Sequence, residues 1–67
     1  MNIIENIKKI RKHKGISQEY IASHLNISQS AYHKIEVGET ELTTERLQQI
    51  LNILEIDLSE LIGKADN

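Results

Sequence analysis

The sequence predicts a small all-α domain, five short helices in a compact bundle. Three observations carry this. Apolar residues recur three and four positions apart, and no stretch alternates with period two for long enough to make a strand. Serine, threonine or aspartate stands just ahead of four of the apolar stripes, where a helix start needs a side-chain acceptor. The connections between stripes are short, as in a helical bundle.

Residues 2–13 form the first helix, with Ile3, Ile7, Ile10 and Lys14 on one stripe and Ile4 beside it. Gly15 ends it, because the residue after a helix often needs positive φ. Ser17 caps the second helix and Glu19 sits in its first turn, near the positive end of the dipole. Ile21, Ala22 and Leu25 make its buried edge. Ser28 caps the third helix, Ala31, Tyr32 and Ile35 face inward, and Gly38 closes it. Thr43 caps the fourth, with Leu47, Ile50, Leu51 and Leu54 inward. Asp57 and Glu60 have the spacing of a capping box, with Leu58, Leu61 and Ile62 on a short fifth helix. The whole of 1–67 reads as one domain, with a frayed end at 64–67.

Composition bounds the function. At 67 residues and 7.7 kDa, a chain buries only about 60% of its unfolded surface. There is no Cys, Pro, Trp or Phe, so the core is aliphatic, drawn from twelve Ile, seven Leu and one Val. Without cysteine there is no disulfide and no thiolate metal site. No apolar run exceeds three residues, which excludes a membrane span. The opening MNIIENIKKIRK carries charges inside its apolar stretch, unlike a secretory signal. A cytoplasmic protein is expected. The formal net charge is −2, but it is polarised: residues 1–34 carry six Lys and Arg against Glu5 and Glu19, while 35–67 carry Arg46 and Lys64 against eight carboxylates. A basic half can face a polyanion while the acidic half faces away.

Nothing points to catalysis or a cofactor. There is no glycine-rich phosphate loop, no HExxH and no room for a sizeable pocket. His13, His24 and His33 are too widely spaced to suggest a compact metal site. Residues 17–37 are more specific. Two short helices flank a turn at Asn26, Ile27 and Ser28; small Ala22 permits a close crossing and Ile27 plugs the angle. This is the spacing of a helix-turn-helix. At about 100° per residue, Ala31, Tyr32 and Ile35 share one arc of the third helix, and Gln29, Ser30, His33 and Lys34 lie on the other.

On Arg11, Gly15, Ser17-Gln18, Ile21-Ala22, Leu25, Ile27-Ser28, Tyr32, Ile35-Glu36 and Gly38, with Leu54, Ile56, Leu58 and Leu61 at the final junction, the chain resembles the Cro/C1-type (XRE-like) helix-turn-helix family over residues 3–62. The resemblance implies the lambda repressor-like DNA-binding fold and a sequence-specific regulator of transcription, a repressor or autoregulator. It assigns base reading to Gln29, Ser30, His33 and Lys34. Glutamine suits adenine N6 and N7, serine discriminates less, and histidine or lysine suits guanine or a phosphate. Gln18 resembles the family's glutamine that holds a phosphate and buttresses the first reading residue; Ser17 and Ser28 add phosphate contacts or act as caps alone. Arg11 and Glu36 resemble a structural ion pair. Lys8, Lys12 and Lys14 either attract the backbone or line a solvated face. Tyr20 is expected at the surface and Tyr32 at the core edge. The implied partner is a pseudo-palindromic DNA duplex bound by a homodimer, through a seam at Glu55, Ile56, Asp57, Leu58, Leu61 and Ile62. Two departures stand out: Asn26 replaces a turn glycine, and Glu39-Thr40-Glu41 is acidic where many relatives are basic. Two alternatives stay open: an antitoxin or controller protein whose main partner is another protein, and an interaction domain that kept the fold without DNA binding.

Overall fold

Five helices form because each start has a side-chain acceptor and each of the first four ends has a left-handed stop. The computed structural model describes residues 2–65, with side chains through Gly63. It contains α1 (Ile3–His13), α2 (Gln18–Leu25), α3 (Gln29–Glu36), α4 (Thr44–Leu54) and α5 (Leu58–Ala65). The frayed end expected at 64–67 falls outside the residues whose side chains are described.

The caps at Ser17, Ser28 and Thr43 accept from the backbone N–H three residues on, at Tyr20, Ala31 and Arg46. Asn2 does the same for Glu5, so α1 begins one residue later than the apolar stripe alone suggests. At α5, Asp57 Oδ1 accepts from the Glu60 N–H at 2.8 Å and the Ser59 hydroxyl at 2.7 Å. No return bond from the Glu60 side chain occurs among the described residues, so only the forward half of the expected capping box forms.

The stops repeat one pattern. Gly15, Asn26, Gly38 and Glu55 have φ of 72°, 61°, 81° and 57°. In each case the next residue's N–H reaches back five positions: Ile16 to Arg11, Ile27 to Ala22, Glu39 to Lys34 and Ile56 to Leu51. This is the Schellman closure, which satisfies carbonyls that a helix end leaves open. At three of the four stops the residue that follows is isoleucine, and all three pack on the core. Asn26 thus makes the turn in place of glycine.

The core is aliphatic as predicted: Ile7, Ile10, Ile21, Leu25, Ile35, Ile50, Leu51, Leu54, Ile56 and Leu61 are buried, with Ala22 and Tyr32. α1 packs on α5 and α3, and α2 packs on α3 and α4. One expectation is corrected here: Tyr32 sits in the centre of the core, not at its edge. Lys14 is exposed, and the buried face of α1 also includes Asn6 and Arg11. Both polar groups have partners. Asn6 Nδ2 donates to the Leu61 carbonyl across to α5, at 3.4 Å. Arg46, on α4, donates to the Leu25 carbonyl at the end of α2. No helix in the described residues is long and apolar enough to cross a membrane.

Arg11 and Glu36 join α1 to α3 by two parallel bonds, Nε to Oε2 at 2.6 Å and Nη2 to Oε1 at 3.1 Å. Arg11 Nη1 also donates to the Ile16 carbonyl at 2.7 Å, and the Tyr32 hydroxyl donates to Glu36 Oε2 at 2.7 Å. Burial by itself would push the Glu36 carboxyl up. The bonds from Arg11, Tyr32 and Gln18, with the Arg11 charge, outweigh it and hold the carboxyl below its ordinary value. Burial, then the Glu36 bond and charge, push the Tyr32 phenol strongly up.

Arg11 and Glu36 are only 6% and 7% exposed, so removing one partner strands the other. Glu36→Gln should lower stability by about 3–5 kcal/mol, measured by urea unfolding. The unfolded chain holds the Glu36 proton to higher pH than the folded one, so the stabilisation is complete above 4.5 and lost as pH falls through the folded value. Wild-type midpoints should fall as the pH drops below 4.5, and those of E36Q should fall less; parallel acid limbs would remove Glu36 from this role. Separately, glutamate gains nothing from a left-handed backbone, so Glu55→Gly should raise stability by about 0.5–1 kcal/mol. A loss on thermal unfolding would show that the Glu55 side chain offsets its own backbone.

Candidate nucleic-acid interface

The turn between α2 and α3 fixes how α3 is presented. Its inner face is held by Tyr32 and Ile35, both buried, and by half-buried Ala31. Its outer face carries Gln29, Ser30, His33 and Lys34, all exposed. The structure therefore brings the four residues assigned to base reading onto one solvent-facing ridge. Val37, 49% exposed, extends that ridge at the C-terminal end.

The start of α2 supplies the second component. The amides of Gln18 and Glu19 precede the first intrahelical bond, Ile21 N–H to the Ser17 carbonyl, so they are open to an anion and lie at the positive end of the dipole. Ser17 and Ser28 each use an oxygen lone pair for capping, which leaves the hydroxyl hydrogen for donation. Lys14, Ser17, Tyr20 and Glu55 line one groove here. Tyr20 is exposed as expected and stacks on His24, with ring centroids 4.2 Å apart.

The terminal amide nitrogen of Gln18 lies 3.0 Å from Glu36 Oε1 and 3.3 Å from His33 Nδ1. Both partners are on α3, and Gln29 is not among them.

The acidic loop stays beside the ridge. The N–H groups of Glu39 and Thr40 both donate to the Lys34 carbonyl, at 2.9 and 3.1 Å. Thr40 and Glu41 face Ser30 and Lys34 across a groove of about 540 Å³ that also includes Arg46. Arg46 was not singled out by the sequence. Its only signal is being a lone cation in an acidic stretch, and it lines the same groove as Glu41.

The surface expected for a dimer seam divides in two. Leu61 is fully enclosed and Ile56 is buried; they hold the α4–α5 junction from inside and offer no seam surface. Glu55, Asp57 and Leu58 are exposed and Ile62 is half-buried.

A short helix crossing a second, with a tight turn between them and a polar ridge on the second, defines a helix-turn-helix domain. Comparison with known proteins agrees. The family model described as Helix-turn-helix matches residues 7–61, and the chain belongs to this family, of the Cro/C1 (XRE-like) type. It is similar to the uncharacterized HTH-type transcriptional regulator YqaE of Bacillus subtilis, 38% identical over 63 residues, covering 94% of this chain and 54% of that protein. It is similar also to the SPbeta prophage-derived uncharacterized HTH-type transcriptional regulator YonR of B. subtilis, 36% identical, covering 87% and 54%. A third relative is the cryptic phage CTXphi transcriptional repressor RstR of Vibrio cholerae, 38% identical, covering 96% and 57%. The chain spans a little over half the length of these relatives. No solved structure matches it significantly.

Proposed function

We propose that this chain is a sequence-specific double-stranded DNA-binding regulator of transcription, a repressor or autoregulator that acts as a homodimer. The observation that carries this is the exposed polar ridge of Gln29, Ser30, His33 and Lys34 on a helix whose opposite face is buried. Relatives named as transcriptional regulators, one of them a repressor, support it. In this mechanism α3 enters the major groove and the first amides of α2 hold a backbone phosphate, which fixes register. Lys8, Lys12 and Lys14 add attraction that does not depend on sequence. Bound protein then blocks or modulates polymerase.

One domain reads few base pairs, so specificity calls for a pair of them. A two-fold dimer sets the recognition helices about 34 Å apart on a pseudo-palindrome. Glu55, Asp57, Leu58 and the exposed part of Ile62 are the surface for that contact. The carboxylates at 39 and 41, held beside the ridge, repel phosphate and favour a second reading, in which a basic protein is the main partner, as for an antitoxin or controller protein. Selection of random genomic fragments on the purified protein decides between them: enrichment of a common half-site supports the regulator, and no enrichment supports the protein partner.

Two substitutions test the mechanism once an operator is selected. Gln29→Ala should weaken specific binding by about 1–3 kcal/mol and relax one base pair; equal losses on all sequences in gel shifts would contradict base reading by Gln29. Glu39→Lys should raise affinity and steepen the dependence of log K on log salt. An unchanged slope would place the loop away from the duplex.

A further inference from the structure

We infer that Gln18 is a specificity-determining positioning residue: its amide holds His33 in the tautomer with the proton on Nε2. The ridge then offers a hydrogen-bond donor, and no acceptor, at that point. This rests on the groove-reading function proposed above.

The constraint begins in the core. Arg11 keeps Glu36 ionised, and an ionised carboxylate only accepts hydrogen bonds. The part of the Gln18 amide that lies 3.0 Å from Glu36 Oε1 must therefore be the NH2 group; its carbonyl oxygen would face negative charge. The same nitrogen lies 3.3 Å from His33 Nδ1. Its second hydrogen needs a lone pair there, so Nδ1 is bare and the ring proton sits on Nε2. Both alternatives are unfavourable. A flipped amide sets oxygen against carboxylate, and a proton on Nδ1 sets two donors face to face.

His24 provides the contrast within the same chain. Its Nδ1 lies 2.9 Å from the Tyr20 carbonyl, which can only accept, so that ring carries its proton on Nδ1. Two exposed histidines are held in opposite tautomers by their neighbours. On the ridge, an Nε2 donor suits guanine O6 or N7, adenine N7 and thymine O4, and is mismatched to the amino groups of cytosine and adenine. Guanine, with two adjacent acceptors, is the favoured base.

The test has two arms. Long-range proton–nitrogen NMR on the free chain should show His33 with an unprotonated Nδ1 and His24 with the opposite pattern. In Gln18→Ala, His33 should move toward an averaged tautomer while His24 stays unchanged. Averaged tautomers at His33 in the wild type would overturn the assignment. In the second arm, wild type, Q18A, H33A and the double variant are each used to select duplexes. Wild type should prefer guanine at one base pair, and Q18A should relax that preference by roughly two- to tenfold, the worth of one neutral hydrogen bond. Adding Q18A to H33A should change nothing further at that pair. A Q18A protein that binds more weakly but keeps its guanine preference, or a wild type that selects cytosine there, would overturn the inference. Fixed tautomers in a protein that selects no duplex would instead overturn the groove-reading function, and the base preference with it.

Discussion

The Glu36 carboxylate is the point on which the rest of the molecule depends. It receives four hydrogen bonds: two from Arg11, one from Tyr32 and one from Gln18. These donors come from α1, α3 and the first residue of α2. A single buried charge thus fixes three helices relative to one another, in a core too small to do so by volume alone. Buried ion pairs are weak evidence for stability as such, because desolvation offsets the attraction. Their value here is orientation: in this arrangement every buried side-chain polar atom among the described residues finds a partner.

That arrangement connects folding to recognition. The network that locks the bundle ends at the solvent, on His33, through one glutamine amide. The ridge is therefore set by the core and not only by its own helix. The charge distribution follows the same division. The lysines gather on α1–α3, and most carboxylates lie on α4, α5 and the loops flanking them. The exception is the acidic loop after α3, which its bonds to the Lys34 carbonyl keep against the ridge.

Most of the fold was legible because its signals are local. Ser17, Ser28, Thr43 and Asp57 each act on an N–H three residues away, and Gly15 and Gly38 act on their own backbone. The outer arc of α3 was legible for the same reason, since helical periodicity alone separates it from Tyr32 and Ile35. What escaped depends on distant partners. Asn6 is buried because the Leu61 carbonyl lies above it, and Arg46 is drawn to the Leu25 carbonyl. Nothing in a glutamate favours left-handed backbone; Glu55 adopts it because Ile56 must reach the core. Tyr32, expected at the edge, goes to the centre because Glu36 accepts its hydroxyl there. The link from Gln18 to His33 spans two helices, and no spacing rule within either one announces it.

The central position of Tyr32 has an optical consequence. In a chain without tryptophan, the near-ultraviolet signal belongs to two tyrosines, one stacked at the surface and one sealed inside. Burial and the Glu36 carboxylate push ionisation of the enclosed phenol well above the ordinary tyrosine range, so phenolate absorbance from that ring in moderately alkaline solution marks the moment the interior opens. The molecule carries its own label for internal breathing, with no dye attached.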